Sequence, residues 1–74
     1  SQISISAQIE RAESEMTKIQ KNKLESYQDY KDGIISKEDF TEYSKMCESK
    51  LEQVQKRKQL LEQKRINNSD EIKR

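Results

Sequence analysis

A single glycine in 74 residues, with no proline anywhere, leaves this chain one favoured place to reverse direction. That glycine is Gly33, inside Tyr30-Lys31-Asp32-Gly33-Ile34-Ile35-Ser36-Lys37-Glu38-Asp39-Phe40. Glycine takes the left-handed conformation just past a helix end at the lowest cost. Ser36 is a good helix N-cap, and Asp39 stands where its carboxylate supports the first turn. Ile35 and Phe40 have the spacing of a hydrophobic staple around that cap. One helix therefore stops near Asp32 and another begins at Lys37. The expected fold is all-α, a two-helix antiparallel coiled-coil hairpin. Its first helix covers about 5–31, its turn 32–36 with Asp32, Gly33 and Ser36 as the turn residues, and its second helix 37–65.

Composition agrees with two exposed helices and limits what else the chain can be. Only 30% of its residues are hydrophobic and 39% are charged, so a broad globular core is out of reach. The apolar residues nevertheless recur at helical intervals, which argues for a coiled coil over a disordered chain. On the first arm they are Ile5, Ile9, Ala12, Met16, Ile19, Leu24, Tyr27 and Tyr30; on the second, Phe40, Tyr43, Cys47, Leu51, Val54 and Leu61. Steps of three and four set each group on one stripe. The expected seam is Ile9, Met16, Leu24 and Tyr27 against Tyr43, Cys47, Leu51, Val54 and Leu61. The step of five after Ile19 and the two successive fours before Leu51 read as stutters at matching heights. Folding back at Gly33 and Ile34 pairs residues whose numbers sum to about 67, such as Tyr27 with Phe40 and Leu24 with Tyr43.

After Ile66 the run Asn67-Asn68-Ser69-Asp70 favours turns over helix, so residues 1–66 form the expected hairpin and 67–74 a frayed or briefly helical tail. With a single seam, the hairpin is expected to be marginal alone or to self-associate through Ile34, Leu60 and Ile66. The chain does not open on methionine, which suits a segment of a larger protein. No apolar run approaches the ~20 residues of a membrane span, and one cysteine excludes an internal disulfide, so a cytoplasmic protein is expected.

Chemistry is hard to place here. There is no histidine to activate Cys47, and no catalytic, cofactor-binding or metal-binding residue is expected. Asp32 to Asp39 mimics half of a calcium loop, but the first and third ligand positions would be Gln28 and Tyr30, which do not supply the usual acidic oxygens. Charge is unevenly spread: residues 25–42 carry six acids and two lysines, and residues 50–74 eight bases and four acids. The bend is acidic and the open end basic. The bases at Lys56-Arg57-Lys58 and Lys64-Arg65 have no interleaved aromatics, so a nucleic-acid-binding helical arm is the weaker reading. The apolar residues of the bend, Tyr30, Ile34, Ile35 and Phe40, are the candidate contact surface for a partner.

Tyr27-Gln28-Asp29-Tyr30-Lys31-Asp32-Gly33-Ile34-Ile35-Ser36-Lys37-Glu38-Asp39-Phe40 resembles the coiled-coil motif of large serine recombinases (serine integrases and related transposases). That motif runs Asp-Gly-x-Ile-Ser-x-Glu-Glu-Phe, and Asp39 stands here where its second glutamate is usual. The resemblance implies an arm inserted in a zinc-ribbon DNA-binding domain. Its tip would meet another copy of the same arm, hold two DNA-bound dimers in synapsis and govern recombination direction. Implied partners are that second copy, a recombination directionality factor, and DNA bound by other domains of the parent. The family's catalytic serine and zinc cysteines have no counterpart in this segment. A spacer or oligomerisation coiled coil of an unrelated protein would show the same helical pattern.

Overall fold

The computed structural model describes the backbone of residues 3–72 and the side chains of residues 3–68. Two helices, α1 (Ile5–Lys31) and α2 (Lys37–Ile72), pack along each other as an all-α hairpin 59 Å long and 18 Å across. α1 starts at Ser4, whose hydroxyl accepts the Ala7 N–H at 3.1 Å and whose carbonyl accepts the Gln8 N–H. Such a cap satisfies donors that the first turn leaves unpaired. The helices are antiparallel, because numbers climb on one as they fall on the other. Lys23 pairs with Glu48 at 2.9 Å, Glu15 with Arg57, and Glu13 with Lys58 at 3.6 Å.

The seam follows a strict seven-residue repeat. In α1 one row is Ile5, Ala12, Ile19 and Ser26, and the other is Ile9, Met16, Lys23 and Tyr30; every member is buried or half-buried. In α2 the rows are Phe40, Cys47, Val54 and Leu61, and Ser44, Leu51 and Lys58, again all buried or half-buried. Rows with this spacing are those of a heptad coiled-coil seam. The dry centre is Ala12, Ile19, Cys47 and Val54, with Met16, Tyr43 and Leu51 packed against it.

Three sequence expectations change here. The stutters are absent. α1 keeps its phase by placing Lys23 and Ser26 in the seam, so Leu24 lies outside it at 69% exposed and Tyr27 lies at its edge at 43%. In α2, Ser44 fills the core row and Tyr43 stands beside it, both half-buried. The register also moves by nearly a turn. The stacked pair Tyr30–Phe40 and the three inter-helix ion pairs have numbers summing to 70, 71 or 72, not 67. Ile19 thus stands level with Leu51, Met16 with Val54 and Ile9 with Leu61. The expected Tyr27–Phe40 contact is present, but as an edge contact.

The third change is at the open end. α2 runs to Ile72, not Arg65, so helix replaces the expected tail as far as it is described. Residues 73 and 74, and residues 1 and 2 at the other end, lie outside the described residues. Asn67 and Asn68 each cost only a few tenths of a kcal/mol against better helix formers, and extending an existing helix needs no new nucleus. Without glycine or proline the extension has no forced stop.

Polar residues in a seam keep register while weakening it. Lys23 is the clearest case, since its side chain is 32% exposed and its partner Glu48 is 62% exposed. Exposed ion pairs of this kind contribute at most about 1 kcal/mol, whereas burying a leucine there brings about 1.5–3 kcal/mol. Lys23→Leu should therefore stabilise the hairpin by about 1 kcal/mol, measured as a higher midpoint of urea unfolding.

Candidate functional site: the bend of the hairpin

The bend is built from backbone hydrogen bonds that its sequence makes available. α1 ends at Asp32, and Gly33 follows in the left-handed region at φ 77°. The Ile34 N–H donates to the Asp29 carbonyl at 2.8 Å and the Gly33 N–H to the Tyr30 carbonyl at 3.1 Å. These two bonds are the Schellman pattern. Three residues later the Ser36 hydroxyl accepts the Asp39 N–H at 3.0 Å, and Glu38 and Asp39 place negative charge at the helix start. Both helix ends are thus closed within a five-residue turn.

The same pattern explains why Ile34 is exposed. A Schellman turn usually packs the residue after the glycine against an apolar residue in the helix's last turn. Here Asp29 occupies that place, and Ile34 stays 69% exposed at the apex. Ile35 is half-buried and lines one side of the hairpin. Of the four expected contact residues, then, Ile34 faces solvent most fully. Tyr30 and Phe40 are half-buried and clamp the two helices together: their rings stack 5.5 Å apart, and Tyr27 and Phe40 form a T-shaped pair at 5.7 Å. The Lys31 ammonium lies 5.9 Å over the Tyr27 ring. Each aromatic pair contributes about 0.5–1.5 kcal/mol beyond burial, which fixes the two arms at the root of the bend.

Two grooves flank this clamp. One, about 340 Å³, runs between Gln20, Lys23, Leu24, Tyr27, Phe40 and Leu51. The other, about 390 Å³, is lined by Asn22, Glu25, Ser26, Asp29, Ile35, Asp39 and Tyr43. Its carboxylates Glu25, Asp29 and Asp39 form no ion pair among the described residues. Ser26 is 8% exposed and lines this groove, and its hydroxyl has no hydrogen-bond partner among the described residues. The Tyr43 phenol is pushed above its ordinary value, first by desolvation, then by the Cys47 thiol and the nearby Glu25 carboxylate. Lys23, Ser26 and Ser44 were not among the sequence candidates. Their signal is phase: counting seven from Ile19 gives Ser26, and counting seven from Met16 gives Lys23.

The arrangement offers an apolar apex on a rigid, acidic mount. Among the described residues no cluster of metal-ligating side chains occurs, and no helix is long and apolar enough to cross a membrane. Cys47 is buried in the seam.

The mount depends on Gly33. A Cβ there would meet no atom within 4 Å, so a side chain is opposed only by the positive φ. Gly33→Ala should cost about 1–2 kcal/mol with the hairpin retained, seen as a lower midpoint of thermal unfolding with unchanged helical circular dichroism. Comparison with known proteins returns no match: no protein-family model, curated protein or solved structure is significantly similar to this chain.

Proposed function

We propose that this chain is the coiled-coil arm of a site-specific DNA recombinase of the large serine class, and that it makes subunit–subunit contact in synapsis and in control of direction. The observation that carries the reading is Ile34, a large apolar side chain 69% exposed on an apex whose backbone is locked by two turn hydrogen bonds. A contact residue needs that combination of exposure and fixed geometry, because little ordering entropy remains to be lost on binding. The motif resemblance of the bend supports the same reading, as does a shaft long enough to carry the apex well away from its base. Its partner at the apex is a second copy of the arm. The arm itself has no catalytic part; strand cleavage belongs to another domain of the parent, which also holds the DNA.

The test is made on the parent recombinase. Ile34→Asp sits on the surface and should change stability by no more than about 0.5 kcal/mol. Dimers of the variant should bind attachment-site DNA as before, while the synaptic complex on native gels falls about tenfold or more. Synapsis at the level of the unaltered protein would remove the proposed role of the apex.

A further inference from the structure

We infer that two copies of this hairpin also pair side by side in opposite directions, through one flank that is acidic near the bend and basic near the open end. The inference rests on the reading above only in taking a second copy as the partner. It concerns a different surface from the apex.

The flank is defined by the repeat. Gln8, Glu15, Asn22 and Asp29 of α1 are seven residues apart, as are Tyr43, Lys50, Arg57 and Lys64 of α2. In a two-helix coiled coil, side chains seven apart stay on one edge of the seam. Two independent observations confirm that these edges adjoin. Glu15 pairs with Arg57, with Gln8 lining the same groove, and Asn22 and Asp29 line a second groove with Tyr43. Near the bend this edge presents Glu25, Asp29 and Asp39. Toward the open end it presents Arg11, Lys18 and Lys64. Among the described residues, none of these six takes part in an ion pair within the chain. The molecule leaves both signs unmatched along one face, with Lys50, level with Asn22, at the boundary between the acidic and the basic stretch.

Such a face is complementary to itself in one orientation only. Aligned in the same direction, two copies would set acid on acid and base on base. Turned by a two-fold axis between the acidic and basic stretches, each acid lies against a base of the other copy. Apolar surface is available on this edge, because Met46, beside Tyr43 and Asp39, is 50% exposed. The neighbouring Leu60, 67% exposed, lies fourteen residues further along the same row. With the axis between the two charged stretches, the copies overlap over about 40 Å, at 1.5 Å per residue. A rod 18 Å wide meets its neighbour along a strip narrower than itself, so about 700 Å² per copy is a ceiling below the ~800 Å² of an ordinary specific interface, and the pair is a weak, salt-dependent one. Each bend closes the overlap alongside the partner's shaft, whose open end runs on past it, so Ile34 stands at the border of this interface.

The test is charge reversal followed by mixing, read by sedimentation equilibrium of the 74-residue chain. Glu25→Lys with Asp29→Lys and Asp39→Lys should weaken self-association about tenfold or more, as should Arg11→Glu with Lys18→Glu and Lys64→Glu. Mixing the two triple variants should restore pairing, as a heterodimer, to within about threefold of the unaltered chain. Raising salt from about 50 mM to about 500 mM should weaken the unaltered pair about tenfold. Circular dichroism confirms that each variant stays helical, and Met46→Lys, which keeps every acid and base, should weaken pairing by itself. Self-association untouched by either reversal, or lost in both with no recovery on mixing, overturns the inference. So does an unaltered chain that is monomeric at about 1 mM. Association removed by Ile34→Asp but not by charge reversal assigns the contact to the apex, which overturns the flank and leaves the proposed arm standing. Loss of synapsis in the parent's Ile34→Asp variant bears on that arm alone.

Discussion

One seam holds this molecule together, and its seven-residue phase decides everything outside it. In a globular domain a polar side chain at a core position can be relieved by shifting a neighbouring element. Among the described residues there is no third element to shift. The helices keep their phase through Lys23, Ser26 and Ser44, and the stiff rows of Ile19, Val54 and Leu61 on the shaft side impose it. A stutter that brought Leu24 inward would have to unwind α1 locally. The repeat instead leaves Leu24 in solvent at 69% exposure. The seam is driest at Ala12, Ile19, Cys47 and Val54 and most polar just below the bend. Over that polar stretch the aromatic clamp of Tyr27, Tyr30 and Phe40 takes over as the main link between the arms.

That division explains what was legible in the sequence. The bend was readable because its causes are local: a glycine for positive φ, a serine for the next cap, and few residues between them. Its limits at Lys31 and Lys37 are those the residues imply. The seam was harder. Stepping only between apolar residues leads from Ile19 to Leu24, because Leu24 is apolar and Lys23 is not. The helix responds to angle, and the seam face passes through Lys23 and Ser26 whatever their chemistry. Moving α1's phase in this way also moved the register. The far end was misread for a related reason: Asn67 and Asn68 are poor helix formers, yet weak propensity alone does not end a helix already formed.

The candidate site was partly legible for a similar reason. The sequence supplied two adjacent isoleucines and no rule for which would face outward. Asp29 decides it, by removing the apolar partner that a Schellman turn would give Ile34. Ile35 is held against the edge groove with Ser26 and Tyr43, where its surface is half covered. The charge gradient along the chain was visible as a difference between two stretches of sequence. Which of those charges share one edge was not, because flank assignment follows from the seam phase.

The acidic mount places a physical limit on any contact made by the apex alone. Two bends brought together would face each other with a net charge of −4 over residues 25–42 in each copy. At physiological salt such repulsion is felt within about 8 Å, which is the range of direct contact. An apex of one isoleucine and its surroundings covers far less than the ~800 Å² that specific interfaces usually supply per partner. Contact of this kind would be weak between free arms and would need help. Tethering to a larger assembly supplies it, since held ends meet at millimolar effective concentration without any new contact. Weakness is then an advantage for a switchable arm. An interaction that forms only when its carriers are already positioned can be turned off by covering Ile34 or by diverting the flank, and neither requires the shaft to unfold.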